Sequence, residues 1–286
     1  MSADDKYPES SGRRRFVKGV VGSAALATVG TATTGAVNTM TSPSGGGGGP
    51  TTFFGIRNTA GPAPRGMPLI PVEVDSEGYL KGLFPEWETV TRAGRPVQVA
   101  EMDIAGYTYG AQWFQYCSVQ ESPGVQPEAD QDEYFRYSSQ PAYEWQQEAV
   151  SADDRVHVDD FQDYEDWGNG IGKSGLGKPA QVTWRSQGVQ SGEGIIPAQV
   201  VRVPPDDYDR MVSNSEYADF IEAATDRNFV AWMNKCTHFC CVPGFKTTEQ
   251  SAKFGAENEV YCPCHQSVYD PYDVVQREYL ALPRPD

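Results

Sequence analysis

The residues with the strongest chemistry lie in two short boxes near the carboxyl end, Cys236-Thr237-His238-Phe239-Cys240-Cys241 and Cys262-Pro263-Cys264-His265-Gln266-Ser267, separated by 20 residues. All but one of the six cysteines and all but one of the three histidines fall inside them, a concentration that random scattering does not produce. As ligands they read C-x-H and then C-x-x-H: two soft thiolates and two imidazoles on two loops. Such a set fits a Cys2His2 tetrahedral zinc site, or a two-iron cluster in which thiolates hold one iron and histidines the other. Each loop also carries a spare thiol beside its ligands, Cys241 in the first and Cys264 in the second. Together they can clamp the loops, which is worth roughly 3.5 kcal/mol for a closed loop of about 24 residues in the chain-entropy account. An ordinary zinc finger has no use for such a clamp.

The pattern C-T-H-x-x-C with C-P-C-H-x-S-x-Y resembles the signature of Rieske iron-sulfur proteins, in the disulfide-bearing form found in cytochrome bc-type quinol oxidases. The resemblance implies one [2Fe-2S] cluster, with Cys236 and Cys262 on the inner iron and His238 and His265 on the outer iron. It also implies a bridge between Cys241 and Cys264, and hydroxyl donors at Ser267 and Tyr269 directed at a bridging sulfide and at the sulfur of the first cysteine ligand. Donors to sulfur stabilise the more negative reduced state and favour the upper end of the roughly −150 to +300 mV Rieske range. The fold so implied is mainly β, a Rieske-type antiparallel β-sandwich with a small cluster-binding subdomain. Two positions depart from the family pattern: Cys240 and Gln266 stand where it usually has glycine, whose role there is a backbone conformation that other residues resist. The proline loop that covers the cluster has only a loose likeness here, in Leu282-Pro283-Arg284-Pro285.

In function, the resemblance implies a quinol-oxidising subunit. His265 faces the quinol and takes a proton as the cluster takes an electron, and His238 flanks it. The electron then passes to a cytochrome c-like or small blue-copper carrier, while a partner cytochrome b subunit builds the quinol pocket and receives the second electron. No turnover is expected of the chain alone. The small Rieske subunit of an arsenite-oxidase-like molybdenum enzyme carries the same marks, and a zinc-stapled secreted binding module carries the same four ligands.

The elements that must position these loops are strand-like. Phe229 to Met233 is expected to feed the first box and Val260-Tyr261 the second; Ile70 to Val74, Pro96 to Val99, Ala180 to Trp184 and Ile195 to Val203 read as further strands between Gly and Pro breaks. Ser213 to Ala224 is the best helix candidate. These readings divide the chain into a base domain over 51–225 and a cluster-binding region over 226–286. Between about Glu121 and Asp166, within an insertion near 121–170, fourteen Asp and Glu face only Arg136 and Arg155, interleaved with aromatic residues enough to pack down. His157, inside this stretch, is expected on the surface. Cys117 and Cys240 are the leftover thiols; outside the cell such thiols pair, but nothing in the sequence places these two together, so both are expected as buried small hydrophobes.

The amino terminus supplies an address. Residues 1–18 contain Arg13-Arg14-Arg15-Phe16-Val17-Lys18, which reads as a twin-arginine export signal, with Arg13 and Arg14 as its pair. That route carries folded proteins, which suits a cofactor assembled before export. The uncharged stretch 19–40 is expected to remain as a transmembrane anchor rather than be cleaved as a signal h-region; as a helix, Gly19 to Val37 rises about 28 Å. The basic residues then sit on the cytoplasmic side and the cluster domain on the extracytoplasmic face of the cell membrane. Residues 41–50, with the run Gly45 to Gly49, form a flexible tether and hinge.

The net charge of −16 argues against nucleic acid and against adsorption to anionic lipid. It fits adaptation to high salt, where repulsion between carboxylates is screened within about 3 Å at 1 M. Thermal melts across a salt series are therefore expected to show a steep loss of fold below about 1 M; a melting temperature unchanged in dilute buffer counts against this reading.

Overall fold

Short runs of β-branched and aromatic residues, broken by Gly and Pro, become strands wherever one face finds apolar neighbours. The computed structural model describes residues 49–92, 94–189 and 194–281. The export signal, the anchor segment 19–40, most of the tether and Leu282 to Pro285 lie outside the described residues. No helix among the described residues is long and apolar enough to cross a membrane.

The chain is mainly β, and its sheets are antiparallel. In order the strands are β1 (Gly49–Ala60), β2 (Met67–Pro68), β3 (Val72–Val74), β4 (Leu80–Gly82), β5 (Trp87–Arg92), β6 (Arg95–Ile104), β7 (Tyr107–Gly110) and β8 (Arg136–Tyr137). There follow β9 (Lys178–Trp184), β10 (Ile196–Arg202), β11 (Phe229–Met233), β12 (Gly244–Phe245), β13 (Val260–Cys262) and β14 (Ser267–Ala281). One five-stranded sheet runs β12-β13-β14-β1-β2 and a four-stranded sheet runs β11-β10-β9-β8, with β3-β4 and β5-β6-β7 as smaller pieces. The five-stranded sheet that carries the second box thus draws strands from both ends of the described chain, while β11, which delivers the first box, belongs to the four-stranded one. Gly49 and Pro50, read as tether, are paired with Ala281 and Leu280 at the start of β1.

The core is aromatic. Phe54 of β1 stacks on Phe220 at 4.0 Å between centroids, with Trp113 edge-on to Tyr109 at 5.0 Å. Trp184 of β9 is fully buried, packs against Phe114 at 5.2 Å, and gives its indole N–H to the Gly82 carbonyl at 3.0 Å. β11 is buried at all five positions, so its two faces both meet protein and its sequence shows no alternation.

The acidic stretch is part of this body. Its aromatic residues turn inward: Tyr143 is buried and donates to the Phe245 carbonyl at 2.7 Å, Trp145 donates to Pro179 at 3.0 Å, and Phe161 meets Phe229 at 5.1 Å. β8 adds this stretch to the four-stranded sheet. Two local expectations are corrected. In place of one helix over 213–224 there are two, α1 (Pro205–Ser213) and α2 (Ala218–Ala223). Pro205 starts the first at a position where a missing N–H costs nothing, and Asn214 and Ser215 end it, the Ser215 hydroxyl taking the Tyr217 N–H at 3.0 Å. His157 is not a free surface group either. Its Nδ1 accepts the Asp159 N–H at 3.2 Å, so Nε2 carries the proton and donates to the Glu77 carbonyl at 2.8 Å.

Trp184→Ala should lower the unfolding free energy by about 3–5 kcal/mol through the cavity it leaves and the orphaned Gly82 carbonyl, measured as a shift of the denaturant midpoint at unchanged slope.

Candidate metal centre

Both boxes are closed by the same local device. In the first, the Cys240 N–H bonds the Cys236 carbonyl at 2.9 Å; in the second, the Gln266 N–H bonds the Cys262 carbonyl at 2.9 Å. Each closure is completed by a residue in the left-handed region, Cys240 and Gln266 both at φ 62°. The backbone therefore adopts at these two positions the conformation that suits glycine, and accepts a cost of about 1–2 kcal/mol for each side chain there. The second box is the turn of a hairpin, with Cys262 and Ser267 paired across β13 and β14. The first follows β11 and is drawn in by the Cys236 N–H to the Cys241 carbonyl at 2.7 Å.

Cys241 and Cys264 are bonded to each other, as the family resemblance implies. Cys236 and Cys262 are the only free cysteines among the described residues, and both are buried. The Cys236 pKa is pulled down to about 5: the Cys262 thiol that donates to it lowers it most, burial opposes, and the Tyr269 hydroxyl, the His238 N–H and the Ser267 hydroxyl lower it further. Cys262, which gives up that bond as a donor, is held in the protonated form and pushed up. The fully buried Tyr269 donates to the Cys236 sulfur at 3.2 Å and accepts the Thr237 N–H at 3.2 Å. Ser267, also fully buried, accepts the Ala63 N–H at 3.2 Å.

The imidazoles lie together at the exposed end of the loops, His238 and His265 with centroids 4.8 Å apart and planes at 87°. Nδ1 of His238 is buried with no hydrogen-bond partner. Beside them Phe239 is 66% exposed and Val242 49% exposed, Phe239 lying 5.2 Å from the His265 ring. Two buried free thiols, the half-buried His238 with its orphaned ring nitrogen and the exposed His265 form a donor set of sulfur and nitrogen that could hold a metal. The sulfurs of Cys241, Cys262 and Cys264 also lie within 4.8 Å of one another, but two of them are spent on their mutual bond, so that trio offers a metal one thiolate.

Two segments that sequence reasoning passed over hold the boxes in place. The loop Gly61 to Gly66 lies against both. A side chain at Gly61 (φ +83°) would collide with the Gln266 carbonyl, Ala63 binds Ser267, and the Arg65 carbonyl accepts the Thr237 hydroxyl at 2.6 Å. This proline-containing loop contacts both boxes among the described residues. Its signal was the pair Pro62 and Pro64 between two glycines, distant in sequence from the ligands. The other segment is Tyr116 to Ser118. Tyr116 donates to the Lys235 carbonyl at 2.7 Å, Lys235 donates from Nζ to the Cys117 carbonyl at 3.1 Å, and Cys117 is bonded to Cys240. The expectation of two buried free thiols is thereby corrected: Cys240 is exposed and Cys117 half-buried, joined across 123 residues, a separation no local pattern reveals. The bridge removes roughly 5 kcal/mol of chain entropy from the unfolded state in the loop-closure account and pins a left-handed residue in place.

No family model matches the chain, and no curated protein or solved structure does either.

Gly61→Ala should release bound metal to a chelator at least tenfold faster while leaving the far-UV circular dichroism intact. Gly106→Ala, at another positive φ with nothing near its Cβ, should leave the release rate unchanged.

Proposed function

We propose that this chain is a Rieske-type subunit of a cytochrome bc-type quinol-oxidising complex, in which Cys236, His238, Cys262 and His265 hold one [2Fe-2S] cluster. The observation that carries the reading is the division of donors: two buried free thiols, and two imidazoles meeting beside the exposed Phe239 and Val242. When bound, the cluster supplies a one-electron acceptor beside exposed histidines. Zinc alone gives no reason for sulfur and nitrogen to be sorted onto opposite sides, nor for Tyr269 to donate to one sulfur.

The residues divide the work. Tyr269, Ser267 and the His238 N–H donate toward the Cys236 sulfur, which favours added negative charge and so the reduced state. His265, exposed at the tip, holds at its free ring nitrogen the proton that a quinol releases with its electron. Phe239 and Val242 give an apolar quinol ring a surface to rest on. The bond Cys241–Cys264 and the loop Gly61 to Gly66 keep water and reductants from the sulfurs.

A hinged head is supported by the ribbon of β1 and β14. Gly49 pairs with Ala281 at one end, and Ala60 pairs with Val268 beside the second box at the other. The glycine run therefore enters about 35 Å of strand away from the ligands, so a tether there moves the head as one lever. The cell-membrane location, the cytochrome b partner and a cytochrome c-like or blue-copper acceptor belong to the same proposal.

Purified protein should be brown and contain iron and acid-labile sulfide in equal amounts; colourless protein carrying zinc overturns the reading. In a redox titration the midpoint should fall about 59 mV per pH unit on the alkaline side, and a potential flat from about pH 6 to about pH 10 removes the proton role of His265. Tyr269→Phe should lower the midpoint by up to about 60 mV, the one-electron equivalent of about 1.4 kcal/mol.

A further inference from the structure

Among the described residues, Arg65 alone lies over three aromatic rings. Its guanidinium carbon lies over three aromatic rings at once, 3.8 Å from the Tyr279 centroid, 5.0 Å from Tyr116 and 5.7 Å from Phe53. The side chain is half-buried, and no carboxylate pairs with it among the described residues. Its own carbonyl holds the Thr237 hydroxyl at 2.6 Å. Its cage partner Tyr116 holds the Lys235 carbonyl at 2.7 Å. Arg65 thus grips the residue before Cys236 through an aromatic ring and the residue after it through the backbone, and Cys236 sits within this closed loop of contacts.

We propose that Arg65, caged by Phe53, Tyr116 and Tyr279, is a positioning residue that seats the first ligand loop and sets the redox poise of the metal group through its positive charge. The proposal rests on the iron-sulfur reading given above. A cation fixed through contacts to both neighbours of Cys236 attracts one extra electron on the cluster, so it stabilises the reduced form relative to the oxidised one. The aromatic faces supply what a carboxylate would cancel: they hold a guanidinium without neutralising it, because a ring face attracts the cation through its quadrupole. A salt bridge in the same place would fix the loop equally well and leave no net charge to act on the ligands.

The test is protein-film voltammetry of the full chain with its cluster, for wild type, Arg65→Lys and Arg65→Gln, with reduced-state EPR spectra alongside. Arg65→Gln should shift the oxidised-to-reduced ratio at fixed potential about tenfold toward oxidised, a drop of about 59 mV. Arg65→Lys should stay within about threefold of wild type, since the charge remains and the planar stacking is lost. Should Arg65→Gln fail to retain cluster, Tyr279→Leu opens the cage to water and is expected to shift the ratio in the same direction, by about threefold. Equal midpoints in wild type and whichever of these two variants retains cluster overturn the inference while leaving the iron-sulfur reading standing. A shift shared equally by the Lys and Gln variants assigns Arg65 a packing role alone and overturns it too. Wild-type protein without iron and sulfide removes both.

Discussion

A sulfur anion taken out of water persists only where donors surround it and where the chain cannot relax away from it. Cys236 is held under that constraint. Tyr269 reaches it from β14, Thr237 fixes Tyr269 in turn, and the Cys262 thiol leans on it from the second loop. Each contact demands that another element be in register. β14 has to begin at Ser267 for Tyr269 to point inward, and β1 has to pair along it for the Gly61 to Gly66 loop to reach both boxes. The long ribbon and the buried β11 are the elements that bring these groups together.

The loops show how backbone strain is distributed. Cys240 and Gln266 occupy a conformation in which glycine is at ease, and the structure compensates differently for each. Cys240 is tied by its bond to Cys117; Gln266 is pressed by Gly61, whose lack of a side chain lets the two backbones touch. One left-handed residue is thus held by a covalent tie, and the other by a glycine on the segment that faces it.

Much of the site was legible because its information is local. Cysteine and histidine spacings, a hydroxyl two residues beyond a box and an apolar run before one are all read within a dozen positions. β11 and β13 lie where the runs Phe229 to Met233 and Val260-Tyr261 put them, and the aromatic residues of the acidic stretch do pack inward. What stayed hidden depends on distance along the chain. Cys117 meets Cys240 only because the Tyr116 carrier segment folds against Lys235, and the Gly61 loop reaches the boxes only through a ribbon closed by the other end of the described chain. The single helix read over 213–224 misjudged how strongly Asn214 and Ser215 satisfy their own backbone. His157 looked exposed because a ring bonded to backbone groups of Asp159 and Glu77 has no distinguishing neighbour in sequence.

Neighbouring Cys240 and Cys241 send bonds in opposite directions, one to the body and one to the facing loop. Six cysteines oxidised at random have on the order of fifteen complete pairings, and four have about three. On the proposed reading, a chain whose Cys236 and Cys262 are already occupied by iron withholds them from this lottery. Four cysteines then remain to be paired, and the two adjacent ones go to different partners, Cys117 and Cys264.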